Sequence, residues 1–431
     1  HHPAAAVAMA KRGCRVVGVD VNPEAIRKLN AGQSPVEETG VQELLNKYRR
    51  RILATPDVET AVRASEVTFI VVATPSQADG AFSNHQLLPA VEKIGAALRG
   101  KRDFHIVVIT CTVMPGTTDG VVRPLLEKSS GKRCGRDFAL VYNPEFIALG
   151  SVVRDFLNPD FVLMGTREEK ARKMMEAFYA RVCENKPPIR CLTPIEAEIG
   201  KIALNCFCTM KISFANMLAE LAENGPGVDA RAISQAIGLD RRIGQKYLAP
   251  GLGFGGPCFP RDNVAFQTFA RKQGIEVPLP AATQAVNRRQ SDRVLARIKA
   301  ILPRGGVVAV LGLSYKPCTP VVEESQALEI AVKVAGLKGF KVRVYDPQAM
   351  PGVRGRLPAE IRDCDSVQDC LTGADLMVLA TPWPEFAGIK ARDVKKWMRH
   401  PAVLDCWRCW SPGDGVKGIR YWATGLGGEM G

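Results

Sequence analysis

The strongest candidate for a reactive group in this sequence is Cys258, which lies among four glycines and two prolines between Gly251 and Asp262. So many flexible and φ-restricted residues cannot continue a helix or a strand, which predicts a shaped loop. A cysteine thiolate is a nucleophile, and a loop that places it four residues from the carboxylate of Asp262 is a candidate site. A buried cysteine in an ordinary linker is the alternative, and the loop alone does not decide between the two.

A second pair of candidates is Lys201 and Asn205, which with Lys211 are the polar exceptions in an apolar pattern that predicts one long helix over residues 193–222. Residues four apart share a face of a helix. A lysine and an asparagine that are directed together into a cleft are the functional reading. Two solvated side chains are the alternative reading.

The elements that would position these residues alternate between strands and helices. Strands are predicted at residues 15–20, 67–73, 106–109, 138–142, 307–312, 341–345 and 376–380, and helices at 4–12, 193–222, 230–237, 281–302 and 327–337. Apolar, β-branched strands without alternation are typical of a parallel sheet that is buried on both faces. Function in such sheets gathers beyond the carboxyl ends of the strands, which places Thr74, Pro75 and Thr112 at a cofactor crevice and Glu145 at another strand end.

We therefore predict an α/β protein with two Rossmann-like doubly wound domains, joined by a long central helix and a helical middle domain. The predicted domains are 1–192, which binds NAD, 193–302, which carries the cysteine loop, and 303–431, which is a second α/β domain of nucleotide-binding size. The printed sequence begins inside the predicted first helix, so the usual first strand and glycine loop are missing from it.

Asp20 follows the strand predicted at residues 15–20. An acid at this place in a dinucleotide-binding unit takes the ribose hydroxyls of NAD and would repel NADP. A helix-capping aspartate before Asn22 is an equally good reading of the local sequence.

The composition of the chain limits the classes of molecule that it is expected to bind. The net charge is +14, from 58 Lys and Arg against 44 Asp and Glu, but the basic residues are scattered among acids. This pattern disfavours nucleic acid and suits a small anionic substrate. The longest uncharged apolar runs are too short to cross a bilayer, so no membrane is expected.

The thirteen cysteines, an odd number in a chain with no visible signal peptide, are expected to be thiols in a reducing cytoplasm. The single C-x-x-C pair, Cys406 and Cys409, has no second pair or histidine nearby. No metal is therefore predicted.

The chain resembles the UDP-glucose/GDP-mannose dehydrogenase family over nearly its full length. The resemblance rests on six motifs in family order: Thr74-Pro75, Thr112-Val113-x-Pro115-Gly116-Thr117-Thr118, Asn143-Pro144-Glu145-Phe146, Lys201-x-x-x-Asn205, Gly255-Gly256-Pro257-Cys258-Phe259-Pro260-Arg261-Asp262 and Gly312-x-x-Tyr315-Lys316-Pro317-x-Thr319. A further segment, Arg242-Ile243-Gly244-x-Lys246-Tyr247, is more similar to the UDP-glucose branch than to the GDP-mannose branch.

The resemblance implies that residues 303–431 bind a nucleotide sugar, with UDP as the favoured nucleotide. It also implies that the C6 alcohol of this sugar is oxidised to a carboxylate with two NAD⁺. It implies that Cys258 forms a thiohemiacetal and then a thioester. By the same resemblance Lys201 and Asn205 stabilise the alkoxide, and Asp262 with Thr112 handles the water or the alcohol proton. Glu145 would assist hydrolysis of the thioester.

The resemblance also implies a set of substrate contacts: Phe146, Lys201, Asn205, Arg242, Tyr247, Gly255, Phe259, Lys316 and Arg408. Arg242 would reach the substrate of a neighbouring subunit, which implies a homodimer or a higher homo-oligomer. Oxidation of a UDP-N-acetylhexosamine or of a TDP- or GDP-hexose is the alternative activity. A non-catalytic nucleotide-sugar binding protein is the alternative from another class.

The chain departs from the family pattern at two places. Ala148-Leu149-Gly150 stands where the family often has a charged tripeptide, and Pro320-Val321-Val322-Glu323 stands where it usually has two acids and an arginine. The second departure lies in the segment that would contact the nucleotide.

Overall fold

The computed structural model describes residues 2–410 and 417–428. These residues form two compact units, one that runs to Ala203 and one that starts at Leu204, so the division falls inside the longest helix. The three-domain division of the sequence stays a prediction.

The first unit contains eight complete helices and seven strands within its described part. The helices are α1 (His2–Lys11), α2 (Pro23–Asn30), α3 (Val41–Tyr48), α4 (Val58–Arg63), α5 (Leu87–Arg99), α6 (Arg123–Ser130), α7 (Val152–Leu157) and α8 (Glu169–Val182). The strands are β1 (Val16–Val19), β2 (Ile52–Thr55), β3 (Val67–Ile70), β4 (His105–Ile109), β5 (Phe138–Tyr142), β6 (Val162–Gly165) and β7 (Ile189–Leu192). The central helix α9 (Pro194–Glu223) begins here.

Strands β3 to β7 form one sheet in sequence order, and β1 pairs with β2 in a separate parallel ladder. Pairing in the larger sheet is parallel except between β5 and β6. Val107 and Ile109 of β4 pack in a cluster with α5 and α6, whereas Ile106 and Val108 pack in another cluster with α8. Because both faces of β4 are covered, its sequence shows no alternation of apolar and polar residues.

The second unit contains the rest of α9 and a larger sheet. Its further helices are α10 (Ala230–Gly238), α11 (Phe259–Lys272), α12 (Pro278–Ile301), α13 (Gln326–Ala335), α14 (Met350–Val353), α15 (Val367–Leu371), α16 (Pro384–Ala387) and α17 (Ala391–Trp397). Its strands are β8 (Gly306–Leu311), β9 (Phe340–Tyr345), β10 (Ile361–Asp363), β11 (Leu376–Leu379), β12 (Ala402–Asp405) and β13 (Arg420–Ala423).

The six strands of the second unit are all parallel, in the order β10-β9-β8-β11-β12-β13. This is the order of a doubly wound nucleotide-binding sheet, in which strands are added first to one side of β8 and then to the other, so that the strand order reverses between β8 and β11. The α/β class with a long central helix, predicted from the sequence, is confirmed.

Some predicted bounds differ from the observed ones. The strand predicted to reach residue 73 ends at Ile70, and the helix predicted from residue 281 begins at Pro278. Proline is tolerated in the first turn of a helix because the amides there have no partner within the helix, so Pro278 opens α12 instead of excluding it.

One helix of the described residues is longer than the uncharged apolar runs of the sequence. Helix α9 has 30 residues and an apolar 18-residue window, so its length and composition alone would allow it to span a membrane. Core helices of proteins without a membrane segment have the same property, and α9 carries Glu198, Lys201, Asn205 and Asn216 as buried polar residues. These features are those of a core helix.

Candidate active site

The predicted nucleophile, Cys258, stands immediately before helix α11 and its side chain is exposed. Pro260 lies in the first turn of α11, where its fixed φ favours the start of a helix. The N–H of Asp262 donates to the carbonyl oxygen of Cys258 at 2.9 Å, so one helical turn fixes the cysteine and the carboxylate relative to each other. The predicted shaped loop with a cysteine at its end is observed.

The carboxylate of Asp262 lies almost completely inside the protein, with 1% of its surface exposed. The side-chain amide of Asn205, on α9, donates to Asp262 Oδ2 at 2.6 Å. A buried carboxylate is tolerated when donors compensate for its lost hydration. The structure therefore brings together two of the residues that the sequence singled out separately.

Three buried amides hold the loop before Cys258. The N–H of Gly253 donates to Gln326 Oε1 at 2.8 Å, and the N–H of Phe254 donates to Asn287 Oδ1 at 2.7 Å. Asn216 of α9 accepts from the N–H of Gly251 at 2.9 Å and donates to the carbonyl of the next residue at 3.2 Å. These amides replace the regular ladder that a loop lacks.

The second half of this loop lies against the chain that follows β8. The N–H of Gly256 donates to the carbonyl of Glu323 at 3.0 Å. A Cβ on Gly255 would lie 2.2 Å from the carbonyl oxygen of Glu324, and one on Gly256 would lie 2.5 Å from the ring of Tyr315. Glycine is required at both positions because another backbone or an aromatic ring comes so close.

In the first unit, Lys201, Glu145 and Phe146 form a second group of predicted site residues. The ammonium of Lys201 donates to the carbonyl oxygen of Glu145 at 2.8 Å and lies 4.6 Å from the centre of the Phe146 ring. Burial raises the pKa of the Glu145 carboxyl to about 7, and the positive charge of Lys201 offsets this only in part. A carboxyl with a pKa near neutrality can act as a general base or acid at physiological pH.

Thr74 and Thr112, predicted at the cofactor crevice, are in direct contact. The hydroxyl of buried Thr74 donates to the carbonyl oxygen of Thr112 at 2.7 Å. Each follows a strand of the parallel β3–β4 pair, and Pro75 lies exposed beside them. The strand ends are thus joined on the edge of the sheet where doubly wound folds bind dinucleotides.

Asp20 directly follows β1, as predicted. Its carboxylate accepts from the N–H of Asn22 at 2.8 Å, and the helix cap is Asn22, whose side chain accepts from the N–H groups of Glu24 and Ala25. The alternative role for Asp20, capping the next helix itself, is therefore taken by Asn22. Asp20 keeps the acceptor oxygens that a pair of ribose hydroxyls would need.

The remaining predicted substrate contacts all belong to the second unit. Phe259 packs edge-to-face with Tyr247 at 5.9 Å, and Tyr247 adopts a left-handed φ of 64°. Lys316 lies near Tyr315, and the side chain of Arg242 is 88% exposed and paired with Asp240.

Arg408 also adopts a left-handed φ, of 49°, and its guanidinium is paired with Asp229. Asp229 caps helix α10. A fixed guanidinium of this kind is suited to binding phosphate or carboxylate, but here one carboxylate is already beside it.

Comparison with known proteins decides the family. The NAD-binding, central and UDP-binding domain models of the UDP-glucose/GDP-mannose dehydrogenase family match residues 3–183, 195–289 and 309–412. The chain belongs to this family. The family's NAD-binding domain fits the parallel strand ends that carry Thr74 and Thr112, so the cofactor is NAD, as predicted.

Several members of the family are similar to this chain over nearly their whole length. UDP-glucose 6-dehydrogenase AglM of Haloferax volcanii is 38% identical, over 93% of each chain. UDP-glucose 6-dehydrogenase of Rhizobium meliloti is 35% identical, over 97% of this chain and 96% of its own. The structure of a UDP-glucose dehydrogenase from Pyrobaculum islandicum superposes with a TM-score of 0.88 at 34% identity, over 99% of this chain and 95% of its own.

Sequence reasoning missed the buried residues that support the site. Glu198 is fully buried on α9, and its carboxylate accepts from the N–H of Gly116 at 2.5 Å and from the N–H and hydroxyl of Thr118 at 2.8 and 2.6 Å. It lies three residues before Lys201 in an apolar helix, and that spacing could have identified it. For Asn216, Asn287 and Gln326 the sequence offers no comparable signal.

Proposed function

We propose that this chain is an NAD-dependent UDP-glucose 6-dehydrogenase, which oxidises the sugar's C6 alcohol to a carboxylate. Membership of the family and the names of the similar enzymes support the reaction type. The observation that carries the proposal is the single turn of α11 that presents Cys258 beside the Asn205–Asp262 pair. A nucleophile, a carboxylate and an amide so arranged are what oxidation through an enzyme-bound thioester needs.

In the first oxidation the alcohol must lose its hydroxyl proton as the carbon loses hydride. We assign acceptance of the proton to Asp262, acting through a water that it would hold with Thr112. Lys201 and Asn205 would stabilise the alkoxide with a positive charge and an N–H donor. NAD⁺, when bound, accepts the hydride in each of the two oxidations.

In the second oxidation the sulfur of Cys258 adds to the aldehyde carbon and a proton goes to the aldehyde oxygen, which gives a thiohemiacetal. This becomes a thioester when its carbon loses hydride and its hydroxyl loses a proton. The N-terminus of α11 stabilises negative charge at this position. Water then cleaves the carbon–sulfur bond, with Glu145 as the base that takes the water's proton, and the thiol returns with the carboxylate product. A pKa of about 7 suits Glu145 to that task.

The cofactor would be held by the strand ends of the first unit. We assign the ribose hydroxyls to Asp20 and the neighbourhood of the nicotinamide to Thr74, Pro75 and Thr112. The nucleotide sugar would be bound by Phe146, Lys201, Asn205, Arg242, Tyr247, Gly255, Phe259, Lys316 and Arg408.

We also propose a homodimer or a higher homo-oligomer in the cytoplasm. Phe207, Phe214 and Leu221 recur every seven residues on α9 and are 59%, 43% and 69% exposed, so one face of this helix offers an apolar stripe. Exposed Arg242 is available to a neighbouring subunit. Light scattering of Phe214→Glu should show a smaller particle than the wild type, and an unchanged mass would reject this surface.

The activity is tested by following NADH with UDP-glucose, UDP-N-acetylglucosamine, TDP-glucose and GDP-mannose. We expect two NADH for each UDP-glucose that is oxidised. The initial rates of NADH formation with the other three nucleotide sugars should be less than about a tenth of the rate with UDP-glucose. Cys258→Ser should abolish acid formation, whereas Cys191→Ser, the same change at a partly buried cysteine of β7, should retain it. Undiminished acid formation by Cys258→Ser would reject the thioester route, and no NADH with any sugar would favour the non-catalytic alternative.

A further inference from the structure

The loop that ends in Cys258 and the segment that carries Lys316 are joined by hydrogen bonds. We call residues 251–258 the cysteine loop and residues 313–325 the nucleotide loop, and both belong to the second unit. The nucleotide loop folds back on itself, because the N–H of Tyr315 donates to the carbonyl of Val321 at 3.0 Å and the hydroxyl of Ser325 donates to the carbonyl of Leu313 at 2.7 Å. It is therefore a compact piece that can act as a unit.

Gln326, the first residue of α13, links the two loops through its side-chain amide. Its Oε1 accepts from the N–H of Gly253 at 2.8 Å, and its Nε2 donates to the carbonyl of Asn287 at 2.7 Å. Asn287 in turn accepts from the N–H of Phe254 and donates to the carbonyl of the same residue, at 2.7 and 2.9 Å. All four bonds are buried, so water cannot easily replace any of them.

A second connection runs directly between the two backbones. The carbonyl of Glu323 accepts from Gly256, and the ring of Tyr315 lies where a side chain on Gly256 would be. Tyr315 and Cys258 are also close enough for the negative charge of a thiolate to raise the pKa of the tyrosine, an effect that is added to the larger one of burial. A displacement of the nucleotide loop therefore has to move the last residues before Cys258.

We propose that Gln326 and Asn287 are positioning residues that couple occupancy of the nucleotide loop to the placement of the Cys258 thiol. The inference rests on the proposed function, in which Lys316 contacts the nucleotide. It adds that the nucleotide end of the substrate, remote from the reacting carbon, contributes to the rate of the chemical step. Binding energy from a non-reacting group can be used in this way when it fixes a catalytic group.

The test uses UDP, which lacks the sugar and so does not cover the sulfur by occupying the hexose site. Full-length protein is treated with iodoacetamide, with and without UDP, and the rate of alkylation is measured for the Cys258 peptide by mass spectrometry. For the wild type we expect saturating UDP to change this rate by about threefold or more, as a shift in the population of reactive loop positions. Binding of UDP is measured separately by calorimetry.

In Gln326→Met, which keeps the side-chain length without the amide, UDP should still bind but the rate at Cys258 should no longer respond. The kcat for UDP-glucose should fall by roughly tenfold, as expected for loss of a buried hydrogen bond, with a smaller change in KM. Gln290→Leu removes another buried glutamine, one that donates to Val286 and accepts from Arg293 within α12, and should keep the UDP response. If Gln326→Met does not fold, Gln326→Glu keeps the acceptor for Gly253 and should show a reduced response.

A UDP response in Gln326→Met equal to that of the wild type would overturn the coupling. So would a wild type that binds UDP without any change at Cys258, and in that case the proposed function would stand. A wild type that binds no UDP would overturn both, and calorimetry separates these two outcomes.

Discussion

Replacement of Glu145 by glutamine links the electrostatics of the first unit to the proposed chemistry. Burial raises the pKa of this carboxyl from 4.5 to about 7. Because the folded state then holds the proton more tightly than the unfolded chain, ionised Glu145 destabilises the fold. Stability should fall as the pH rises from the unfolded to the folded pKa, by at most about 3 kcal/mol, and the effect should vanish below the unfolded pKa.

Glutamine has no proton to lose, so the Glu145→Gln variant should lack this part of the pH dependence. Urea unfolding between about pH 5 and pH 8 would measure it, with Glu92→Gln, on the exposed face of α5, as the control that keeps the wild-type slope. Equal slopes for the wild type and Glu145→Gln would refute the reasoning.

The same variant tests catalysis. In the wild type, acid formation should rise as the pH passes through about 7, since only the carboxylate can accept a proton from water. Glu145→Gln should give a burst of NADH followed by slow turnover, because the thioester forms but is not cleaved. Sustained acid formation at the wild-type rate would remove Glu145 from the mechanism.

Two further changes probe the supports of the site. Glu198→Gln leaves one acceptor oxygen where the carboxylate accepts from three donors, so the free energy of unfolding should fall by roughly 1–3 kcal/mol. Thr118→Ser keeps the hydroxyl and should lower the free energy of unfolding by less. Equal losses of stability in denaturant would contradict this account. Gly256→Ala places a Cβ 2.5 Å from the Tyr315 ring at a φ of +80°, whereas the Cβ of Gly274→Ala meets nothing within 4 Å at a φ of +72°. Both variants are strained by the positive φ, but only Gly256→Ala should also slow alkylation of Cys258. Similar alkylation rates in the two would show that the ring does not constrain the loop.

Much of the fold follows from local patterns. The apolar runs of β4, β5, β8 and β11 are long enough to predict a buried parallel sheet, and the helical period of α9 predicts its span within a residue or two. The predicted start of a helix was less accurate where a proline opens it. Helix α12 begins at Pro278, three residues before the predicted start, because the first turn of a helix tolerates proline. The order of the strands depends on which neighbours pair, which the local sequence does not state.

The candidate site can also be separated into what the sequence predicts and what the tertiary structure adds. The sequence by itself determined which reactive groups are present. Residue type and the surrounding motifs identify five of them: Cys258, Lys201, Asn205, Asp262 and Glu145. Only the tertiary structure decided which of them touch, and it did so through chain segments that are far apart in sequence. The contact of Asn205 with Asp262 spans 57 residues.

The supporting residues belong wholly to the tertiary structure. Glutamine and asparagine are ordinary surface residues in a sequence, and nothing local distinguishes Gln326 or Asn287 from exposed amides. They matter because folding removes water from them and leaves backbone N–H groups of a loop as their partners. Residue type therefore determines which chemistry a side chain can perform. Burial and contacts with residues distant in sequence determine which side chains are placed to perform it.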